Sequence, residues 1–425
     1  MSASVDSPPL AIQGAAPAKQ RPDPPMFPGG MAVDEEEEAA VLEVLRSKRL
    51  FRYNSPYGTP SRVDELERAF AAKKGVQHAL GVTSGTAALI CGLQAIGVGP
   101  GDEVIVPAYT WIATATAVLA VGAVPIVAEV DETLLLDPAD VARKVTPYTK
   151  AVIPVHMRGA PCRMDAILEV ARAHQLKVVE DCAQANGASY QGKEVGAFGD
   201  VGCFSLQFNK IITCGEGGMV VTDSPDLWER AAMYHDAGAT HRRHAEDRLL
   251  WGVNFRMPEL LAAVALVQLR KLDRLLAAMR ARKQMLKSGI ADMAQRKGVQ
   301  FRELADPAGD TAIALIFFMP TAERAKAVSE ALRAENIGAS VLYDPAVRDY
   351  HVYAHWVPVM QQRAWSAGGD PWRWANRPIE YREEMCPRSL ELLGRAVHLN
   401  VSPLLTNEDV EETIEGVNRV LHVLA

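Results

Sequence analysis

The sequence predicts an α/β protein, a large domain on a mostly parallel sheet with a smaller C-terminal α+β domain after it. Three observations carry this. From about residue 75 to 222, short apolar runs alternate with stretches of helical spacing, the pattern of a parallel sheet covered on both faces. An unbroken helical pattern then runs from 258 to about 293, long enough to connect two domains. Beyond it, two apolar runs and two helical patterns make a shorter unit, and no internal repeat interrupts the order.

Length and charge bound the function. A chain of 425 residues reads as roughly two or three domains and can bury a large core without staples. Its 45 Lys+Arg against 52 Asp+Glu leave a net charge of −7, so it lacks the basic footprint that phosphate-backbone binding leaves. No apolar stretch approaches ~18 residues, and the N-terminus has no basic-then-apolar pattern, so neither a membrane span nor a secretory signal is expected. The six cysteines form no CxxC pair and have no histidine at metal spacing; they read as reduced, buried small hydrophobes in a cytoplasmic protein, with no metal site.

The elements follow in order. Residues 1–30 are rich in Ala, Pro, Ser and Gly and are expected to be disordered or loosely docked. The acidic run 35–38 suits a helix N-terminus and opens the apolar pattern Val41, Leu42, Val44, Leu45. Residues 61–75 read as an amphipathic helix with Ser61 and Asp64 as a capping box and Gly75 at its end. Strands are expected at 103–107, 123–129, 151–156, 177–181, 201–206 and 218–222, and helices at 85–97, 111–121, 137–145 and 163–174. Pro258 takes a tolerated first-turn position in the connecting helix. Strands at 311–318 and 339–343, a helix at 321–335 and a last helix capped by Thr406 and Asp409 complete the chain. The expected division is a leader (1–30), a large domain (31–257) whose first helix is able to pack on the small domain, the connecting helix (258–293) and the small domain (294–425).

Four features of the large domain converge. Thr83-Ser84-Gly85-Thr86-Ala87-Ala88-Leu89 is a small-residue turn between a strand-like run and a helix. Such a turn offers free N–H groups to an anion, although many βα turns look alike. Val178-Val179-Glu180-Asp181 ends an apolar strand in acid, where open sheets bind ligands, or where a surface carboxylate or helix cap would sit. Lys210 follows an apolar strand and precedes a Gly-rich turn; most lysines are inert, but one in an apolar pocket can form a Schiff base. Trp111 follows the 103–107 strand and offers a flat ring, for stacking or for packing. Together these are a phosphate cup, a carboxylate, a lysine and a stacking face, the parts that hold pyridoxal 5'-phosphate.

From about residue 26 onward the sequence resembles the DegT/DnrJ/StrS family of pyridoxal-phosphate-dependent aminotransferases, which act mainly on keto-sugars and cyclitols. The resemblance is densest in Ser84-Gly85-Thr86-Ala87-Ala88-Leu89, 97–115, 180–187 and 199–218. It implies a fold-type I transferase, usually a homodimer, serving amino-sugar biosynthesis for polysaccharides or antibiotics. By motif it assigns Lys210 as the Schiff-base lysine, Asp181 as partner of the pyridine nitrogen and Gln184 as neighbour of the ring hydroxyl. Trp111 becomes the stacking ring, and Gly85, Thr86 and Ser205 the phosphate positions. Asn254 would reach the phosphate in the neighbouring subunit. The implied reaction moves an amino group from glutamate, or next from glutamine, to a keto-sugar, keto-cyclitol or keto-sugar acid.

Two departures bear on substrate. Where the family commonly has Val-His-Leu-Tyr-Gly, this chain has Val155-His156-Met157-Arg158-Gly159. Arg158 could grip a substrate carboxylate with two parallel bonds or sit in a surface ion pair. The segment 350–382 carries Trp356, Trp365, Trp372 and Trp374, which would cover the active site, meet the partner subunit or fill the small domain's core. Two rival functions remain. One is deoxysugar dehydration, against which Lys210 stands because members specialised that way carry histidine there. The other is a non-catalytic regulatory protein that binds the cofactor, for which no basic stripe is present. A dinucleotide enzyme is weaker still, because no GxGxxG follows the first strand.

Overall fold

The structure, a computed structural model, describes residues 9–53, 61–237 and 249–425. In chain order the first nine strands are β1 (His78–Val82), β2 (Glu103–Pro107), β3 (Val124–Ala128), β4 (Thr149–Val152), β5 (Lys177–Asp181), the short hairpin β6 (Ser189–Tyr190) and β7 (Lys193–Glu194), β8 (Val201–Ser205) and β9 (Gly218–Thr222). Seven of them form one sheet in the order β1-β9-β8-β5-β4-β2-β3. β9 alone runs against the others. The mostly parallel sheet is as expected, and β2, β5 and β9 match their expected limits. β4 does not. It ends at Val152 because Pro154 has no N–H for the ladder, and Val155 makes only an isolated bridge to Asp181. β1 is an edge strand whose Gly81 weakens its apolar signal.

The helices before the long connector are α1 (Glu35–Ser47), α2 (Arg62–Lys74), α3 (Gly85–Ala95), α4 (Ala113–Ala120), α5 (Pro138–Lys144), α6 (Met164–Ala173) and α7 (Pro225–Tyr234). α2 is capped as expected by Ser61, but Asp64 does not return the bond. Glu259 supports the cap from another helix, accepting from the Ser61 hydroxyl at 2.5 Å and the Arg62 N–H at 2.7 Å. That exchange ties α2 to the start of α8 (Glu259–Arg296), a 38-residue helix about 57 Å long at the usual rise. Pro258 precedes this helix as its cap, with an extended backbone, rather than sitting in its first turn. α8 packs against α1, α2 and the last helix, so one apolar rod joins the far face of the large sheet to a second sheet.

That sheet has the order β10-β11-β13-β12 and is antiparallel throughout. Its strands are Gln300–Phe301 (β10), Ala314–Phe318 (β11), Ala339–Val341 (β12) and Ala396–Asn400 (β13). Around it lie α9 (Ala322–Ala334), the short α10 (Val357–Met360) and α11 (Pro371–Trp374), α12 (Pro387–Arg395) and α13 (Asn407–Leu424). Thr406 and Asp409 form the reciprocal cap expected of α13. Among the described residues no helix is long and apolar enough to cross a membrane.

Two segments depart from the sequence expectation. Residues 9–30 are ordered by polar contacts: Glu335 accepts from the Ala11 and Ala18 N–H groups at 2.9 and 2.7 Å, and the buried Lys19 pairs with Asp23 and Asp409. Composition hid this because the partners lie more than three hundred residues away. The Trp-rich segment belongs to the large sheet, not to the small one's core. It runs along the open edge of β3, where Tyr381 donates to the Pro125 carbonyl at 2.8 Å and the Ser389 hydroxyl accepts from the Val130 N–H at 2.8 Å. Such cover removes the unpaired edge that invites strand addition. Trp356 is buried in that core, Trp372 packs against it and Trp365 is wholly exposed.

Candidate active site

The carboxyl ends of β4, β5 and β8, the N-terminus of α3 and the start of α4 converge on one place. Asp181 is the last residue of β5 and is buried. Its carboxylate accepts from the Thr114 hydroxyl at 2.8 Å and the Ala183 N–H at 3.0 Å. Burial pushes its pKa up, opposed by those two donors and then by the nearby Lys210 charge. Lys210 lies in the loop after β8, and burial lowers its pKa. Asp181 opposes that shift, whereas Arg158 adds to it. The two groups expected to do the chemistry thus lie within electrostatic reach of each other.

Ser84 caps α3 by accepting from Ala87 N–H, so the Gly85 and Thr86 N–H groups begin the helix with no intrahelical partner. Gly85 faces Ser205 so closely that a Cβ there would lie 2.7 Å from the Ser205 Cβ. The result is a small cradle of two amides and a hydroxyl at a positive helix end, which suits a phosphate. Trp111, three residues before Thr114, is 46 % exposed. Its ring centroid lies 5.0 Å from that of His351, in the Trp-rich segment, and the Thr110 and Ile112 N–H groups donate to the His351 and Tyr350 carbonyls at 2.8 and 2.9 Å.

The lysine loop is braced from behind. The Leu206 carbonyl accepts from Cys214 N–H and the Thr213 hydroxyl, both at 3.0 Å, and the Lys210 carbonyl accepts from Gly29 N–H at 3.2 Å. A Cβ on Gly29 would lie 2.8 Å from Ile212 Cα, and one on Gly30 2.6 Å from the Phe208 ring, so side-chain-free backbone is needed for this approach. Sequence reasoning missed Gly29 and Gly30, whose only signal was a Pro-Gly-Gly run in a segment read as leader.

Arg158 is not in a surface ion pair. It is partly buried, and its Nε donates to the Tyr109 hydroxyl at 3.1 Å. Its backbone is left-handed (φ 55°), uncommon for a residue with a side chain. Three contacts hold it so: the Gln184 Oε1 accepts from Arg158 N–H at 3.2 Å, buried Arg302 donates to the Met157 carbonyl at 3.0 Å, and Thr311 N–H donates to the Gly159 carbonyl at 3.1 Å. Gly159 follows at φ 77°, where a Cβ would collide with the Thr311 hydroxyl. Thr114, Tyr109, Arg302, His351 and Asp349 are further site residues that the sequence reading did not single out. The Asp349-x-His351 spacing within an aromatic stretch was the available hint.

His156, Glu180 and Cys182 cluster beneath Asp181, but the cluster is already satisfied. Glu180 accepts from Gly196, Phe198 and Gly199 N–H groups at 2.7–2.8 Å and from His156 Nε2 at 3.1 Å, while His156 Nδ1 accepts from Cys162 N–H. It braces the floor of the site. All six cysteines are free and buried. Asn254 lies apart from this cluster within the chain, exposed, its Oδ1 accepting from Arg256 N–H at 3.3 Å.

With this geometry in view, the comparisons decide the family. The profile of the DegT/DnrJ/EryC1/StrS aminotransferase family matches residues 31–367. The chain belongs to that family. It is 35% identical to the L-glutamine:2-deoxy-scyllo-inosose aminotransferase of Streptoalloteichus tenebrarius, covering 97% of both chains. It is 47% identical to the GDP-perosamine synthase of Caulobacter vibrioides over 50% of this chain and 58% of that one. Among solved structures, S. venezuelae DesV in complex with a ketimine intermediate superposes with a TM-score of 0.76 at 32% identity, covering 94% of this chain and 98% of that one. The enzyme class is therefore amino-group transfer, and the α/β fold is that of sugar aminotransferases.

Proposed function

We propose that the protein uses pyridoxal 5'-phosphate to move the amino group of L-glutamine to the ketone of a cyclitol or sugar. The observation that carries this is the coupling of Lys210 to Asp181 beside the amide cradle of α3. Glutamine stands ahead of glutamate, reversing the order implied by the broad resemblance, because the relative matched over its whole length is named for glutamine.

The residues fit the cofactor. Gly85, Thr86 and Ser205 would hold the phosphate, Trp111 would cover one ring face, and Gln184 would stand by the ring hydroxyl with its amide NH2 turned from Arg158. When bound, the cofactor supplies an electron sink for the donor's α-carbon. Asp181, its anionic form favoured against burial by Thr114 and Ala183, would hold a proton on the pyridine nitrogen. Lys210 Nζ, its proton affinity reduced by burial, would take the proton from the donor's α-carbon and return it as acid. Rivals are less well supported: Lys210 is present for amino transfer, and the site has the groups for turnover.

The assembly is proposed to be a homodimer in which Asn254 reaches the neighbouring phosphate. Leu50, Phe51 and Trp251 are exposed near it, an apolar surface suited to a second copy. Mixing Lys210→Ala with Asn254→Asp subunits should restore some activity, because one pocket of the mixed dimer is intact. Absence of recovery although subunits exchange would refute sharing. For the reaction itself, the cofactor-loaded protein is given L-glutamine and then a panel of keto-cyclitols and nucleotide-linked keto-sugars. Glutamine should abolish an absorbance band near ~420 nm and a ketone should restore it. No spectral change with any amino acid would overturn the reading.

A further inference from the structure

We infer that Arg158 is the seat of the amino donor's α-carboxylate, an inference that rests on the transamination reading. The guanidinium is bonded, among the described residues, only through Nε, which donates to the Tyr109 hydroxyl at 3.1 Å. Among the described residues no hydrogen bond or ion pair engages its two terminal nitrogens, so a parallel pair of donors remains for a planar anion. Its backbone is clamped from both sheets, by Gln184 on one side and by Arg302 and Thr311 on the other, so the side chain's origin is fixed.

The surroundings favour an incoming anion over a resident one. The carboxylate that acts on Arg158 is Asp349, and it already bonds His351 Nδ1 at 2.7 Å. His398, on β13, is buried with its Nε2 unpartnered among the described residues, and the Thr311 hydroxyl is likewise unpartnered. Burial and then Arg158 hold His398 well below the usual histidine range, and burial also lowers His351. Burial thus disfavours a second positive charge on either histidine, which leaves the guanidinium as the cation offered to an anion.

A carboxylate is present on every amino donor but not on an uncharged keto-cyclitol, so the donor is the source to which the site is assigned. Arg158 is near enough for its charge to act on Lys210, and its N–H bonds Gln184, three residues beyond Asp181, so the guanidinium belongs to the same site as the lysine.

The test uses the cofactor-loaded protein as wild type, Arg158→Met and Arg158→Lys. Each is titrated with L-glutamine and with L-glutaminamide, which lacks the α-carboxylate, while visible absorbance reports the first half-reaction. The aminated form is separately reacted with an uncharged keto-cyclitol. Wild type should prefer glutamine to glutaminamide by about tenfold to a hundredfold, the worth of charge-assisted hydrogen bonds. Arg158→Met should erase that preference by weakening glutamine about tenfold to a hundredfold more than glutaminamide, and Arg158→Lys, a charge without the fork, should fall between. Equal weakening toward both amino compounds would overturn the inference by marking a structural role. So would an effect on the ketone step alone, or an unchanged preference. A wild type inert toward every amino donor would instead overturn the transamination reading beneath it.

Discussion

Lys210 and Arg158 stand beyond the carboxyl ends of β8 and β4, the two strands that flank β5, and both are cations drawn out of water. Their proton affinities move in opposite directions. Burial lowers Lys210, and Asp181 only partly offsets it. Burial acts on Arg158 in the same sense, but the Tyr109 hydroxyl and the Asp349 carboxylate outweigh it, and the guanidinium is raised. The lesson is one of partners. Lys210's main counter-charge is a carboxylate that Thr114 and Ala183 already engage, whereas Arg158 is bonded directly. Lys210 is thereby suited to the proton exchange proposed for it, and Arg158 to the lasting charge proposed for it.

The largest expected effect follows from replacing the group that exchanges protons. Lys210→Ala should abolish transamination, and borohydride reduction of the wild-type holoenzyme should fix the cofactor on Lys210. Recovery of the label on another lysine would assign the pair wrongly. Asp181→Asn should leave the fold intact but slow turnover by roughly 10²–10³, the usual cost of losing a preorganised electrostatic partner. Near-native turnover in that variant would remove Asp181 from the chemistry.

The comparison also predicts a pair of opposite pH shifts. Cofactor capture by the stripped protein requires neutral Lys210, so its midpoint follows that group's pKa. Removing a positive neighbour raises the pKa, so Arg158→Met should move the midpoint to higher pH. Removing a negative neighbour lowers it, so Asp181→Asn should move the midpoint to lower pH. Shifts of the same sign in both variants would break the electrostatic account. The smallest effect is reserved for Tyr109→Phe. It loses one hydrogen bond to Arg158 Nε, worth about 0.5–1.5 kcal/mol, and should weaken glutamine binding about twofold to tenfold.

Asp181 and Lys210 were legible in the sequence because each ends or follows an apolar strand, and a strand's end is a local property. The cradle of Gly85, Thr86 and Ser205 was legible for the same reason. The setting of Arg158 was not. Tyr109, Arg302, Asp349 and His398 come from both sheets and from the segment along β3, and no spacing rule connects them. Position 158 could be flagged as a departure, but the surface ion pair considered there was wrong because tertiary packing turned the side chain inward. The reciprocal cap of α13 and the Ser61 cap of α2 were readable, whereas the support that Glu259 gives Ser61 was not, since Glu259 lies on another helix.

The segment before α1 has a consequence for the order in which the molecule is made. Residues 9–23 are seated on Glu335, Asp409 and Arg419, while Gly29 and Gly30 brace the loop that carries Lys210. Chains emerge from the ribosome at about 5–20 residues per second and fold as they emerge. This segment therefore leaves the ribosome early and waits through nearly the whole of translation before its seat on α9 and α13 exists. The large sheet can close well before that, and the Gly29–Gly30 brace, whose neighbours Lys210, Ile212 and Gln268 are already made, can close with it. Seating of residues 9–23 is thereby deferred until the C-terminal helix is released, and a nascent chain cut short before Asp409 would leave the segment ahead of that brace without its seat.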